Sequence, residues 1–225
     1  MRAGDAAGRT RVSRLLGWGA LALALSLSAQ AAQAAEPKPS PAAARTLLVM
    51  GDSLSAGYGL SAQEGWVSLL GERLQKSHPG WRVVNASISG ETSAGGAARI
   101  AGELARTKPA VVLIALGAND GLRGLPLKQL RENLDKMVGA AKQAGARVLL
   151  VGMRMPPNLG KSYTEGFAQS FRTVAEAHHV ALLPFLLEPI ARERSAFQED
   201  DLHPVASVQP MLRDHVWPAL EPLLK

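Results

Sequence analysis

The chain contains no cysteine among its 225 residues, and this absence excludes several classes of protein. Disulfide scaffolds, thiolate metal sites and lipid attachment at an N-terminal cysteine all require that residue. Aromatic residues make up only 4% of the chain, and no run of five or six basic residues occurs. Platforms for stacking bases and basic tracks for a phosphate backbone are therefore not expected. We predict a protein that is held together by its apolar core and has no nucleic-acid partner.

Residues 1–35 have the pattern of a secretory signal peptide. Four arginines precede an apolar run from Leu15 to Ser28, and Ala-x-Ala cleavage sites follow, after Ala31 or Ala34. The run is short for a membrane span, and the alternative interpretation is an uncleaved segment that serves as a membrane anchor. We expect cleavage, a mature protein in the bacterial periplasm or outside the cell, and no stable membrane anchor after cleavage.

The net charge of +6 belongs partly to that segment. Residues 1–34 hold four arginines and one aspartate of the chain's 25 basic and 19 acidic residues, which leaves 21 and 18, a net charge of +3. Such a small excess is weak evidence for an anionic macromolecular partner. We expect a monomer that acts on a small molecule.

From residue 45 to residue 225 the chain alternates short apolar segments with amphipathic ones, after a proline-rich linker at residues 36–44. The apolar segments show little polar alternation, which is typical of strands buried on both faces of a parallel sheet. They comprise residues 46–50, 81–87, 110–116, 147–153 and 180–187. Apolar residues recur at helical spacing between them, as at Trp66, Leu69, Leu70 and Leu74. The alternation predicts one three-layer α/β/α domain with a flavodoxin-like, doubly wound sheet of about five parallel strands.

Three residues follow the first three predicted strands, at the carboxyl edge where such sheets bind ligands. Ser53 is either a turn residue or a nucleophile, and the surrounding stretch does not decide between them. Gly90 can bring its backbone N–H close to a ligand, because it has no Cβ. Asn119 is either a turn residue or an amide donor for an oxyanion.

A serine nucleophile needs a base, and only one of the five histidines has a promising setting. His203 follows Asp200 by three residues and Asp201 by two, in the stretch EDDLHP. Residues three apart share a face of a helical turn, so we predict that Asp200 orients the imidazole toward a serine. Asp201 is the alternative partner.

The four blocks GDSLSAGY, SISGET, GAND and DDLHP together resemble the SGNH hydrolases, also called the GDSL family, from residue 46 to the end of the chain. Longer stretches, such as NASISGETSAGG and LGANDGLRGLP, are similar to the secreted bacterial thioesterase I group, which includes arylesterases and lysophospholipases. The resemblance implies that Ser53 is the nucleophile, His203 the general base and acid, and Asp200 its orienting carboxylate. It also implies an oxyanion hole formed by the N–H groups of Ser53 and Gly90 and the Asn119 side chain.

The implied reaction is two-step acyl transfer by a serine esterase that hydrolyses carboxylic esters and thioesters, namely aryl esters, acyl-CoA and lysophospholipids. This chemistry needs no metal and no organic cofactor. Two other functions stay open: a carbohydrate or peptidoglycan O-acetylesterase, and a catalytically silent binding module on the same fold.

Two loops are expected to flank the cleft, at residues 121–126 and 154–160. Four apolar residues of these loops are candidates for the substrate-binding groove: Leu122, Leu125, Met155 and Pro156. The alternative is that these are exposed loop residues without a ligand.

Overall fold

A computed structural model describes residues 44–225 and contains one five-stranded parallel sheet. The strands are β1 (Arg45–Gly51), β2 (Trp81–Asn85), β3 (Val111–Ala115), β4 (Arg147–Val151) and β5 (Ala181–Leu183). They lie in the order β2-β1-β3-β4-β5, which is the order of flavodoxin-like folds. The predicted fold class is confirmed.

Helices connect the strands in the described part of the chain. They are α1 (Ser53–Ala56), α2 (Trp66–Ser77), α3 (Ser93–Thr107), α4 (Ala118–Leu122), α5 (Leu127–Gln143), α6 (Lys161–His178) and α7 (Gln209–Leu220). Short 3-10 helices lie at Pro157–Leu159, Arg194–Ala196, Ala206–Val208 and Glu221–Leu224.

The longer helices cover both faces of the sheet, because alternate strand residues point to opposite sides. On β1, Leu47 and Val49 belong to a core that includes residues of α2 and α7. Their neighbours Leu48 and Met50 belong to a second core, with residues of α3, α5 and α6. All four side chains are fully buried. The result is the three-layer α/β/α arrangement, and the carboxyl ends of all five strands meet at one edge.

Several strands are shorter or less buried than their apolar segments predict. The chain bends at Pro184, directly after β5, while Phe185 and Leu186 remain buried beyond the sheet. Strand β2 lies at the sheet edge, where Arg82 and Asn85 are exposed, so the prediction of burial on both faces is wrong for this strand. The two differences have separate causes: apolar residues can be buried beyond the end of a strand, as Phe185 and Leu186 are, and an edge strand is covered less than a central one, as β2 is.

The predicted signal peptide, residues 1–35, and nearly all of the predicted linker, residues 36–44, lie outside the described residues. Among residues 44–225, no helix combines the length and apolar character needed to cross a membrane.

Candidate active site

Ser53 lies at the carboxyl end of β1, in a stretch that we call the serine segment, residues 51–60. A Cβ at Gly51 would lie 2.6 Å from Ser55 Oγ, so glycine is required where the strand ends. Asp52 then caps α1, and its Oδ1 accepts a hydrogen bond from the Leu54 N–H at 3.0 Å. Ser53 is thus the first residue of a helix, where the backbone N–H has no intrahelical partner.

The histidine loop, residues 198–204, meets the serine segment. His203 Nε2 lies 2.8 Å from Ser53 Oγ, and His203 Nδ1 lies 2.6 Å from Asp200 Oδ2. Asp200 Oδ1 accepts hydrogen bonds from the backbone N–H groups of Leu202 and His203, at 2.9 and 3.0 Å. The structure therefore joins Ser53, His203 and Asp200 in one series of hydrogen-bond distances, which we call the relay.

Asp201 takes no part in the relay. Its carboxylate pairs with Arg194, and its backbone has a left-handed conformation with φ 59°. The turn at this residue carries the chain from Asp200 to His203. The three-residue spacing places Asp200, and not its neighbour, beside the imidazole.

Two aspartates of the site have pKa values shifted in opposite directions. Hydrogen bonds from the His203 N–H, the imidazole and the Leu202 N–H lower the pKa of Asp200 to about 2. Burial raises the pKa of Asp52 to about 6, because desolvation outweighs the hydrogen bond from Leu54 and the attraction of nearby His203. Asp200 is therefore ionised at every pH near neutrality, whereas Asp52 changes from protonated to ionised as the pH rises through about 6.

Asn119 and Gly90 occupy the loops beyond β3 and β2. Asn119 Nδ2 donates to the Glu91 carbonyl at 3.1 Å and lies 3.5 Å from Asp52 Oδ2, so its amide faces the serine segment. Gly90 has a φ of 79°, and its carbonyl accepts a hydrogen bond from Arg123. A Cβ on Gly90 would lie 3.9 Å from the Arg123 side chain, so there is room for a larger residue. Glycine is favoured here because of the left-handed backbone conformation.

A cavity of about 450 Å³ opens beside Ser53 and His203, and Asn119 also lines it. Its walls are mainly apolar and include Leu122, Met155, Pro156, Pro157, Phe185 and Leu187. The volume falls within the range of small-molecule sites. Within residues 44–225, no group of three or more His, Asp or Glu residues is arranged to hold a metal ion.

Three of the four residues predicted to line the groove face this cavity: Leu122, Met155 and Pro156. Leu125 is not among the lining residues. Its carbonyl accepts a hydrogen bond from the Tyr163 hydroxyl at 3.0 Å, which ties this turn to α6. The sequence position of a loop residue does not show in which direction its side chain points. The sequence therefore could not show which residues of the two loops line the cavity and which do not.

Sequence reasoning missed three residues that contact the relay or the chain beside it: Asp52, Tyr58 and Gln198. The Tyr58 ring packs against the His203 imidazole, with centroids 4.5 Å apart and planes tilted by 36°. Gln198 Nε2 donates to the Tyr58 carbonyl at 2.9 Å, across 140 positions of sequence. Tyr58 stands in the block GDSLSAGY and could have been considered there. Gln198 had no comparable signal.

Comparison with known proteins gives consistent matches. The model of a family described as the GDSL-like lipase/acylhydrolase family matches residues 49–208. The esterase TesA of Pseudomonas aeruginosa is 51% identical over 182 residues, which cover 81% of this chain and 90% of that protein. Thioesterase 1/protease 1/lysophospholipase L1 of Escherichia coli K12 is 42% identical over 182 residues, or 81% and 86% of the two chains. A crystal structure of TesA matches with a TM-score of 0.78 and 50% identity, and covers 80% of this chain and 99% of the other.

Proposed function

The chain belongs to the GDSL-like lipase/acylhydrolase family, and on this premise we propose that it hydrolyses carboxylic esters and thioesters with Ser53 as the nucleophile. One observation carries the assignment of roles: the relay from Ser53 Oγ to His203 at 2.8 Å and from His203 to Asp200 at 2.6 Å. A serine hydroxyl is a poor nucleophile until a base removes its proton. The relay supplies the base and a carboxylate that orients it.

In the first half of the reaction, Ser53 Oγ attacks the carbonyl carbon while His203 Nε2 accepts the hydroxyl proton. Asp200 stays ionised, because its pKa is about 2, and stabilises the imidazolium that forms. The imidazolium then gives the proton to the leaving alcohol or thiol, and the acyl group remains on Ser53. In the second half, His203 removes a proton from the water that attacks the acyl-enzyme, and the imidazolium returns this proton to Ser53 Oγ as the acyl–oxygen bond breaks and the acid is released.

We propose that the N–H groups of Ser53 and Gly90 and the Asn119 side-chain amide donate hydrogen bonds to the oxyanion that forms in the reaction. Within the described residues, neither of these backbone N–H groups has a backbone acceptor. Asn119 uses one amide hydrogen on the Glu91 carbonyl, and its second contact, to Asp52, is long at 3.5 Å. One amide hydrogen is therefore only weakly engaged and is available to a negative oxygen on the carbonyl that Ser53 attacks.

The cavity supports a substrate with an apolar acyl chain. Its walls carry apolar side chains from the loops beyond β3, β4 and β5, and its volume of about 450 Å³ exceeds what an acetyl group fills. We propose aryl esters, acyl-CoA and lysophospholipids as substrates. This choice accords with the names of the two relatives, an esterase and a thioesterase/lysophospholipase.

The first 35 residues bear on where in the cell the protein acts. Their signal-peptide pattern supports export to the periplasm or beyond, and we propose that the mature protein works there as a monomer. A periplasmic fraction that contains the processed protein would support this, and a protein of full length in the cytoplasm would contradict it.

A chain-length series tests the proposed reaction. The protein, Ser53→Ala and the control Ser61→Ala are each incubated with p-nitrophenyl esters of two to sixteen carbons, acyl-CoA and lysophospholipid. We expect Ser53→Ala to lose at least about 10⁴-fold in kcat, Ser61→Ala to match the unchanged protein, and medium or long chains to be preferred. Equal rates for both variants would refute the serine mechanism. Cleavage of acetyl esters alone would favour an O-acetylesterase, and no hydrolysis at all would favour a binding module.

A further inference from the structure

Gln198 bridges the serine segment and the histidine loop. Its Nε2 donates to the Tyr58 carbonyl at 2.9 Å and to the Pro204 carbonyl at 3.2 Å. Its backbone N–H donates to the His203 carbonyl at 2.8 Å. One half-buried side chain therefore contacts the chain shortly after Ser53 and the residue directly after His203.

Gln209, the first residue of α7, makes a second bridge to the same carbonyl. Its Nε2 donates to the Pro204 carbonyl at 3.3 Å, and its Oε1 accepts from the Trp66 N–H at 2.9 Å. The Trp66 indole N–H in turn donates to the Leu54 carbonyl at 3.0 Å, directly after Ser53. Gln209 is 1% exposed and Trp66 is fully buried, so this bridge runs through the interior.

The chain makes room for the first bridge at Gly59. A Cβ there would lie 2.4 Å from Gln198 Oε1, which no side chain tolerates without displacing the amide. The same residue has a φ of 75°, a conformation that glycine adopts readily. The turn that follows Ser53 is thus shaped to receive the glutamine.

The histidine loop needs such ties, because it has no helix or strand of its own. An isolated antiparallel bridge between Phe197 and Pro204 closes its base, and the hydrogen bonds from Leu202 and His203 to Asp200 are local to the loop. The contact between His203 and Ser53 is broken and remade in the proposed reaction as the proton moves. A displacement of about 1 Å at a reacting group can lower a rate about 100-fold.

We propose that Gln198 and Gln209 are positioning residues that clamp the Pro204 carbonyl and thereby set the distance between His203 and Ser53. The inference rests on the proposed function, since it concerns the same relay. Neither glutamine lines the cavity, so the clamp acts on the reaction step and not on substrate binding. Tyr58, held at its carbonyl by Gln198, places its ring on the imidazole as a third constraint.

Gln198→Met tests the clamp, because methionine keeps the length of the side chain and removes both amide donations. The matched control is Gln75→Met, at an exposed position of α2. For each protein we would measure kcat and KM with a p-nitrophenyl ester, and separately the rate at which a small organophosphonate modifies Ser53. The second rate reports the reactivity of Ser53 without any acyl chain in the cavity.

We expect Gln198→Met to lower kcat and the phosphonylation rate about tenfold, with KM within twofold and Gln75→Met unchanged. A kcat and phosphonylation rate within twofold of the unchanged protein would overturn the proposal, as would a loss that appears in KM alone. If the unchanged protein hydrolyses no ester, the proposed function fails by itself, and the phosphonylation rate still tests the clamp. Gln209→Met should shift both rates in the same direction but also lower the Tm, because its site is buried.

Discussion

The serine segment and the histidine loop hold the two halves of one site, yet they are built in opposite ways. The serine segment continues a buried strand and contains Asp52, which is 1% exposed and whose pKa is raised to about 6 by burial. The histidine loop lies outside the helices and strands and contains Asp200, whose side chain is 37% exposed and whose pKa is lowered to about 2 by hydrogen bonds. The position of the proposed nucleophile, Ser53, is set by the buried strand that precedes it. The position of the base, His203, is set by hydrogen bonds within its loop and by the glutamine bridges. An aspartate in the serine segment is therefore protonated below about pH 6, whereas an aspartate in the histidine loop stays ionised down to about pH 2.

Apart from the loss of the Ser53 hydroxyl itself, the largest expected effect comes from removing the charge of Asp200 on the histidine loop. Asp200→Asn should lower kcat about 10⁴-fold, because an amide no longer selects the tautomer in which Nε2 accepts the serine proton. Asp201→Asn should change kcat by less than about threefold, because that carboxylate pairs with Arg194 and makes no relay contact. Rates with a p-nitrophenyl ester measure both. A larger loss for Asp201→Asn would reverse the assignment of the two aspartates.

Asn119→Ala tests the donor that lies between the two halves. Loss of one oxyanion donor should raise the activation barrier by about 3 kcal/mol, a fall of 10²- to 10³-fold in kcat. Because the side chain binds only one carbonyl at ordinary hydrogen-bond distance, the Tm should fall by only a few degrees. A variant with full kcat would remove Asn119 from the proposed oxyanion hole.

Asp52→Asn tests the buried half through its pH dependence. The pKa of Asp52 is about 6 in the folded protein against 3.8 for an unperturbed aspartate, so the folded state binds this proton more tightly. Its contribution to stability is present in full below about pH 4 and is lost as the pH rises through 6. Asp52→Asn should therefore raise the free energy of unfolding at pH 8 by at most about 3 kcal/mol and change it little at pH 4. Urea unfolding at both pH values measures this, and a difference independent of pH would contradict it.

The same variant should lose some activity. An ionised Asp52 attracts the imidazolium of His203, so the neutral amide should lower kcat at pH 8, though far less than Asp200→Asn does. Steady-state rates at pH 8 give the comparison. A loss as large as that of Asp200→Asn would mean that the buried carboxylate, and not the exposed one, governs the imidazole.

The smallest expected effect comes from the strained turn of the histidine loop. Asp201→Gly should relieve the cost of a left-handed residue, about 1 kcal/mol, and lose an exposed ion pair with Arg194 that contributes less than that. We expect the Tm to rise by about 2 °C with kcat unchanged. A lower Tm together with a lower kcat would show that the ion pair holds the loop.

Local patterns predicted the fold and the family, whereas the contacts of Gln198 with a distant part of the chain and the burial of Asp52 escaped prediction. The five apolar segments and the blocks around Ser53 and Asn119 are local signals, and the strand order and the family match confirm what they implied. The roles of the site residues stay predictions until variants are measured. The bridge from Gln198 to the Tyr58 carbonyl left no pattern, because a side-chain amide can bind any carbonyl within reach. The raised pKa of Asp52 likewise depends on distant elements that bury it.

The relay and most of the cavity wall come from different stretches of chain. The relay uses the end of β1 and the histidine loop, whereas Leu122 follows β3, Met155 and Pro156 follow β4, and Phe185 follows β5. Exchanging the loop beyond β4 for that of a relative should accordingly leave the relay in place while the preferred acyl length changes. Beyond β3, the exchange would have to begin after Asn119, because that residue belongs to the proposed oxyanion hole. Substitutions that change the preferred substrate can therefore accumulate in one set of segments without altering the relay in the other.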